Sequence, residues 1–230
     1  MIIDLISSVP ELLSGPLEYS IIGKARSSGL VEIRTHDLRE YSKNKHRKVD
    51  DYPFGGGAGM VMTAQPVFDC LEALQKNSNI DAVLFPSPDA EVLNQKKVNR
   101  ISLYQHIVIL CGHYKGVDQR IRDMLVTQEY SLGDYVLSGG ELPAMVLIDS
   151  VVRLLPGAIG DSESALDDSF QDGLLSAPVY TRPANFRGHI VPEELLSGDH
   201  KRIRQWREKQ SLERTRLRRP DLYQRYINKK

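Results

Sequence analysis

The run Ser131-Leu132-Gly133-Asp134-Tyr135-Val136-Leu137-Ser138-Gly139-Gly140-Glu141-Leu142-Pro143 sets small residues between a short apolar segment and a long apolar one. Glycines leave main-chain N–H and C=O groups open to a ligand, because no Cβ stands in front of them. An acid in the first helical turn and a proline close behind mark Glu141 as a helix start. Such a loop reads a ligand with its backbone. Two further loops follow apolar segments, Pro86 to Glu91 and Cys111 to Gly116. In an open α/β sheet, loops at strand C-termini converge on the binding site. Three ordinary tight turns are the plainer reading of the same composition. A fourth loop, Gly55-Gly56-Gly57-Ala58-Gly59-Met60, follows the basic stretch Lys43, Lys45, His46, Arg47 and Lys48. It could seat a flat base against backbone with cations near phosphates, or be a flexible turn beside solvated charge. It is not a dinucleotide fingerprint, since Met60 takes the sixth position of GxGxxG, and no P-loop lysine follows.

Single residues say less by type alone. Arg153 is the only base between Glu129 and Asp172, and reads as a charge at a helix C-terminus. Asp168 reads as a solvated loop aspartate. No zincin motif or nucleophile elbow occurs. The histidines show no ligand spacing, so a metal site is not indicated.

The elements that must hold these loops alternate. Strands are expected at Ile2 to Ser7, Leu30 to Thr35, Ala82 to Phe85, His106 to Leu110 and Glu129 to Leu132. Helices are expected at Glu11 to Tyr19, Ala64 to Gln75, Asn94 to Leu103, Asp118 to Leu125 and Glu141 to Leu154. Residues 36–60 read as one long loop. The pattern predicts an α/β fold with a mostly parallel sheet and helices on both faces. Residues 156–176 are acidic and glycine-containing, and read as a flexible linker. Beyond it, Tyr180 to Arg187 reads as extended, Asp199 to Gln210 as a helix, and Leu212 to Ile227 as another interrupted near Pro220.

Of the 230 residues 41% are hydrophobic, enough for one large domain and a small appendage. Thirty bases balance thirty acids, but unevenly along the chain. From Lys201 onward Arg202, Arg204, Arg207, Lys209, Arg214, Arg216, Arg218, Arg219 and Arg225 face only Glu208, Glu213 and Asp221. A basic tail suits a polyanion, or forms a solvated helix face. Cys70 and Cys111 lie in apolar segments without a CxxC, as expected of a reduced, cytoplasmic protein. The N-terminal apolar run is short, carries Asp4 and lacks a basic start. It reads as a strand and not a signal peptide. No run approaches membrane-spanning length, and no membrane partner is expected.

Taken together, five motifs carry a resemblance that spans nearly the whole chain. They are Val49-Asp50-Asp51-Tyr52-Pro53-Phe54-Gly55-Gly56-Gly57-Ala58-Gly59-Met60, Gly133-Asp134-Tyr135-Val136-Leu137-Ser138-Gly139-Gly140-Glu141, Asp168-Ser169-Phe170, Tyr180-Thr181-Arg182-Pro183, and Trp206-Arg207 through Gln210-Ser211-Leu212 to Arg218-Arg219-Pro220. The chain resembles the bacterial tRNA (guanine-N1)-methyltransferases of the SPOUT, or α/β-knot, superfamily. The resemblance implies a deep trefoil knot in residues 1–155, against the general rarity of knots. It implies a linker over residues 156–176 and a helical tRNA-binding domain over residues 177–230. It further implies a homodimer with the active site at the subunit interface.

By the same resemblance, S-adenosyl-L-methionine is the methyl donor and N1 of the guanosine at tRNA position 37, just 3′ of the anticodon, the acceptor. The cofactor residues would be Ser87, Pro88, Gly112, Leu132, Gly133, Tyr135, Leu137, Gly139, Gly140 and Pro143. The catalytic pair would be Asp168 and Arg153. Gly55, Gly56, Gly57, Gly59 and Met60 would receive the guanine, and the basic helices the anticodon stem-loop. A divalent cation such as Mg is implied as a helper, with no ligand set to assign. Three positions depart from the family pattern: Lys115 stands for a usual glutamate, Asp89-Ala90-Glu91 for Gln-Gly-Arg, and Ser176 for an acid. They predict altered cofactor affinity with activity retained. A non-catalytic RNA-binding protein of this fold, or a SPOUT enzyme acting on another RNA, are the alternatives.

Overall fold

The computed structural model describes residues 1–159 and 168–228. The chain divides into two compact units, Met1–Gly160 and Asp161–Lys230.

The first unit is built on a five-stranded sheet. Its strands are β1 (Ile2–Ser7), β2 (Glu32–Asp37), β5 (Ala82–Pro86), β6 (His106–Leu110) and β7 (Gln128–Tyr130), in the order β2-β1-β6-β5-β7. Every pairing in it is parallel. β5 and β6 are buried along their whole length, as strands covered on both faces must be. Side chains alternate between two cores. Ile3, Leu5, Leu84, Ile107 and Ile109 pack with α1 (Ser20–Ser27), α3 (Gln95–Ile101) and α5 (Glu141–Val152). Ile6, Val83, Phe85, Val108 and Leu110 pack with α2 (Ala64–Gln75) and α4 (Gln119–Met124). The expected α/β architecture is therefore present, with helices on both faces.

Helix starts follow side-chain chemistry. The Asn94 side chain accepts from Lys97 N at 3.1 Å and caps α3. Asp118 accepts from Arg120 N at 2.9 Å and caps α4. α2 buries Val67, Cys70 and Leu71 on one stripe, the spacing that identified it.

One expectation fails near the N-terminus and one in the long loop. No helix spans Glu11 to Tyr19: a 3-10 turn covers Pro10–Leu13, and Gly15 at φ +80 ends it. The helix is instead Ser20–Ser27, which sequence reading missed. It is mostly polar, carries Gly23 inside, and buries only Ile22 and Ala25. Residues 36–60 contain the end of β2, a 3-10 turn Leu38–Tyr41, and β3 (Asp50–Asp51). β3 pairs antiparallel with β4 (Val61–Met62), and Val49 beside it is fully buried. The basic residues 43–48 and the glycines 55–57 and 59 remain exposed.

A polar cluster crosses the sheet that spacing did not reveal. Asp4, with no exposed surface, accepts Arg34 Nε and Nη2 at 2.8 Å each and meets His36 Nε2 at 2.8 Å and His106 Nε2 at 2.6 Å. Burial pushes its carboxyl up, but the hydrogen bonds from His36, Arg34 and His106 outweigh that and hold it at about 2.

The second unit holds a hairpin of β8 (Asn185–Phe186) and β9 (His189–Ile190), then α6 (Glu193–Leu196), α7 (His200–Arg218) and α8 (Pro220–Ile227). α7 is one 19-residue helix where a break at Ser211 was expected. Ser211 does not interrupt it, because its hydroxyl donates outward to Leu175 O at 2.6 Å. Pro220 sits at the first turn of α8, where its missing N–H costs nothing. Of the segment read as a linker, residues 160–167 lie outside the described residues. Residues 168–176 are tied down: Leu175 N donates to Thr215 Oγ1 at 2.9 Å, Phe170 N to Leu174 O at 2.7 Å, and Leu174 is buried.

Candidate active site

A cleft of about 370 Å³ opens at the carboxyl ends of β5, β6 and β7. The volume falls in the range of small-molecule sites. Its walls are the three loops after those strands. Ser87 and Pro88 come from the first, Gly112 to Gly116 from the second, and Leu132, Tyr135, Leu137, Gly139, Gly140 and Pro143 from the third and the start of α5. Nine of the ten residues assigned to the cofactor thus line one cavity. Gly133 is the tenth and lies outside the lining. It turns the third loop at φ +144 and carries Tyr135 N on its carbonyl at 2.9 Å.

The third loop passes close to the second, and glycine makes that possible. Gly140 N donates to Gly112 O at 2.8 Å. A Cβ on Gly140 would stand 2.7 Å from Cys111 Cα and from Gly112 N, both backbone atoms. A Cβ on Gly139 would meet the His113 ring at 2.5 Å and Glu141 Oε2 at 2.6 Å. Those two side chains form a latch beneath the loop. Glu141, 1% exposed, accepts from Ser7 Oγ and meets His113 Nε2 at 2.7 Å. His113 and Glu141 are 28 residues apart, and no spacing rule links them, so sequence reading did not pair them.

The rim carries a second set of charges. Arg122, on α4, bonds Glu129 at 2.6 Å and Asp89 at 3.0 Å, and its guanidinium lies 5.7 Å from the Phe85 ring centre. Asp89 is held below the usual carboxylate range, chiefly by the Ser87 hydroxyl, with Arg122 helping to offset the opposing effect of burial. Asp89 is therefore matched by a cation and is not a stray charge in the cleft. Burial pushes the Cys111 thiol and the Tyr130 phenol far up, leaving both neutral behind the walls.

The glycine loop lies beside this cleft without lining it. Lys115 N donates to Met60 O at 2.9 Å, and Met62 N to Gly116 O at 3.0 Å. Arg153 caps the C-terminus of α5 in the first unit and is not among the cleft's lining residues. Asp168 belongs to the second unit, at the head of the segment that Thr215 and Ser211 tie to α7. α7 starts on Asp199, which accepts Lys201 N at 2.9 Å and Arg202 N at 3.2 Å. It exposes Arg204, Arg207, Arg216 and Arg218 and buries only Thr215. Among the described residues no group of three or more His, Cys, Asp or Glu could hold a metal ion, and no helix is long and apolar enough to cross a membrane.

The chain is 56% identical over 222 residues to a tRNA (guanine-N(1)-)-methyltransferase of Flavobacterium johnsoniae, covering 96% of this chain and 98% of the relative. It is 57% identical to the protein of that name from Flavobacterium psychrophilum, covering 96% and 99%. It is 54% identical to the one from Bacteroides thetaiotaomicron, with the same coverage. The model of the tRNA (Guanine-1)-methyltransferase TrmD family matches residues 1–225, and the chain belongs to that family.

Proposed function

We propose that this protein transfers a methyl group from S-adenosyl-L-methionine to N1 of the guanosine at position 37 of tRNA. The observation that carries the proposal is the cleft itself, in which nine assigned cofactor residues from three separate loops meet. Its walls suit an adenosyl and amino-acid ligand: apolar side chains with main-chain polar groups of a glycine-rich loop between them. When bound, S-adenosyl-L-methionine supplies a methyl on an already activated sulfonium.

The rest falls to this chain's residues. Guanine N1 carries a proton and is a poor nucleophile, so Asp168 accepts that proton as general base. Negative charge then develops on O6, and Arg153 stabilises it. The loop of Gly55, Gly56, Gly57, Gly59 and Met60 seats the base and aligns N1 for in-line transfer. The exposed arginines of α7 hold phosphates of the anticodon stem-loop.

The same reading takes residues 1–155 as the methyltransferase domain and 177–230 as the tRNA-binding domain. It takes the close passage of Gly140 over Cys111 and Gly112 as part of a trefoil knot. It also takes the working enzyme as a cytoplasmic homodimer whose active site joins both subunits. The exposed Tyr135, Val136, Leu142 and Val146 beside the third loop support an apolar contact there.

The test is methyl incorporation into tRNA by wild type and Asp168→Asn, with calorimetry of S-adenosylhomocysteine for both. The proposal expects a loss of about 10²–10⁴ in kcat with product affinity kept. Near-normal turnover by the variant would remove Asp168 from the base role. Wild type that holds no S-adenosylhomocysteine would favour an RNA-binding protein without catalysis.

A further inference from the structure

Lys115 occupies a position that neither the cleft nor the glycine loop accounts for alone. It lines the cleft, yet its side chain runs out over the glycine loop. A Cβ built on Gly59 would lie 3.5 Å from Lys115 Cδ and 3.6 Å from its Cβ. One built on Gly57 would lie 3.9 Å from Lys115 Nζ. The stem thus packs along the open face of Gly59 and delivers the ammonium over Gly57. The backbone fixes this course. Tyr114 adopts φ +62, a left-handed conformation that costs a bulky residue energy, and Gly116 follows at φ +142. Lys115 N on Met60 O clamps the turn to the loop's end. No carboxylate of the described residues forms a salt bridge with the ammonium, unlike Lys43 and Lys97, which pair with Asp69 and Glu91.

A strained turn that holds a cation without a counter-charge, above glycines that leave backbone bare, fits an anion arriving with the substrate. We propose that Lys115 binds a backbone phosphate next to the target guanosine and so positions that nucleotide between the glycine loop and the cofactor cleft. This rests on the reading of the glycine loop as the guanine seat. The ammonium is a compact point charge on a flexible stem, suited to one phosphate oxygen and not to bidentate recognition of a base edge. The position also separates the two sides of the reaction.

The variants are Lys115→Met, which keeps the stem on Gly59, and Lys115→Arg, which keeps the charge. The expected result for Lys115→Met is a rise of about tenfold or more in KM for tRNA, as for a lost charged hydrogen bond. The slope of log affinity for tRNA against log salt becomes shallower by about 0.7 to 0.9, one phosphate's share. S-adenosylhomocysteine affinity changes by much less than the KM for tRNA does, and Lys115→Arg recovers most of the KM and the salt slope. An unchanged salt slope would overturn the proposal. So would a fall in kcat alone, which would put the ammonium on O6, or a loss of S-adenosylhomocysteine affinity as large as the rise in KM for tRNA, which would put it on the cofactor's carboxylate. If wild type itself neither methylates tRNA nor holds S-adenosylhomocysteine, the methyltransferase reading fails instead, so the two failures are distinguishable.

Discussion

Single residues decide whether the cleft can exist. Gly140 is the sharpest case, because the atoms a methyl would strike are backbone, which cannot rotate away. Gly140→Ala is expected to cost about 1–3 kcal/mol in thermal stability and to abolish measurable binding of S-adenosylhomocysteine. Melting and calorimetry of the variant check both, and wild-type affinity would show that the loops have room to part. Arg153 is expected to act on the rate. Arg153→Met should lower kcat by about 10²-fold if the guanidinium stabilises the charge on O6, with little change in cofactor affinity. Single-turnover methylation reads the first and calorimetry the second. Neither Arg153 nor Asp168 would be chosen by residue type: one caps a helix and the other heads a loop, and only the resemblance to the family singles them out. The loop glycines were legible because close approach of backbone leaves a compositional trace. The His113–Glu141 latch was not, since hydrogen bonds across 28 residues leave none.

Secondary elements were legible in proportion to how much apolar surface they bury. α2 and β6 match their expected bounds because the buried positions of α2 repeat at the helical period and β6 is a short run buried throughout. α1 was missed because two buried residues and an internal glycine give no period to read. The sheet's own polar cluster was hidden for another reason: Asp4, Arg34, His36 and His106 share a face only once β1, β2 and β6 are in register. That cluster makes a pH prediction. The folded-state carboxyl of Asp4 sits at about 2, below the ordinary aspartate value of about 3.9. Its contribution, about 2–3 kcal/mol, is therefore fully present above pH ~4 and is lost as pH falls towards 2. Urea midpoints from pH 6 to 2 should show wild type and Asp4→Asn differing widely at the top and converging at the bottom. A gap that stays constant with pH would mean that the cluster acts through shape and not charge.

At the scale of the molecule, the uneven distribution of charge was visible at once, while its use depends on how α7 presents it. The 19-residue helix is capped by Asp199 and leaves Arg204, Arg207, Arg216 and Arg218 in solvent, so they are free to meet phosphates. Replacing Arg204 and Arg207 by Ala should reduce the salt slope of tRNA binding by about 1.4 to 1.8 and leave S-adenosylhomocysteine affinity unchanged. A slope equal to wild type would put the RNA on another surface. The parallel sheet and its loop-lined end could be read from alternation of elements, whereas nothing in spacing or composition speaks of a knot or a second subunit. The central claim, methyl transfer to one guanine nitrogen, is tested most directly by nucleoside analysis. Purified protein, S-adenosyl-L-methionine and a tRNA with guanosine at position 37 should yield 1-methylguanosine, and the same tRNA with adenosine there should yield none. Unmodified guanosine from protein that demonstrably binds S-adenosylhomocysteine, or a methyl found on any other atom or nucleoside, would contradict the account.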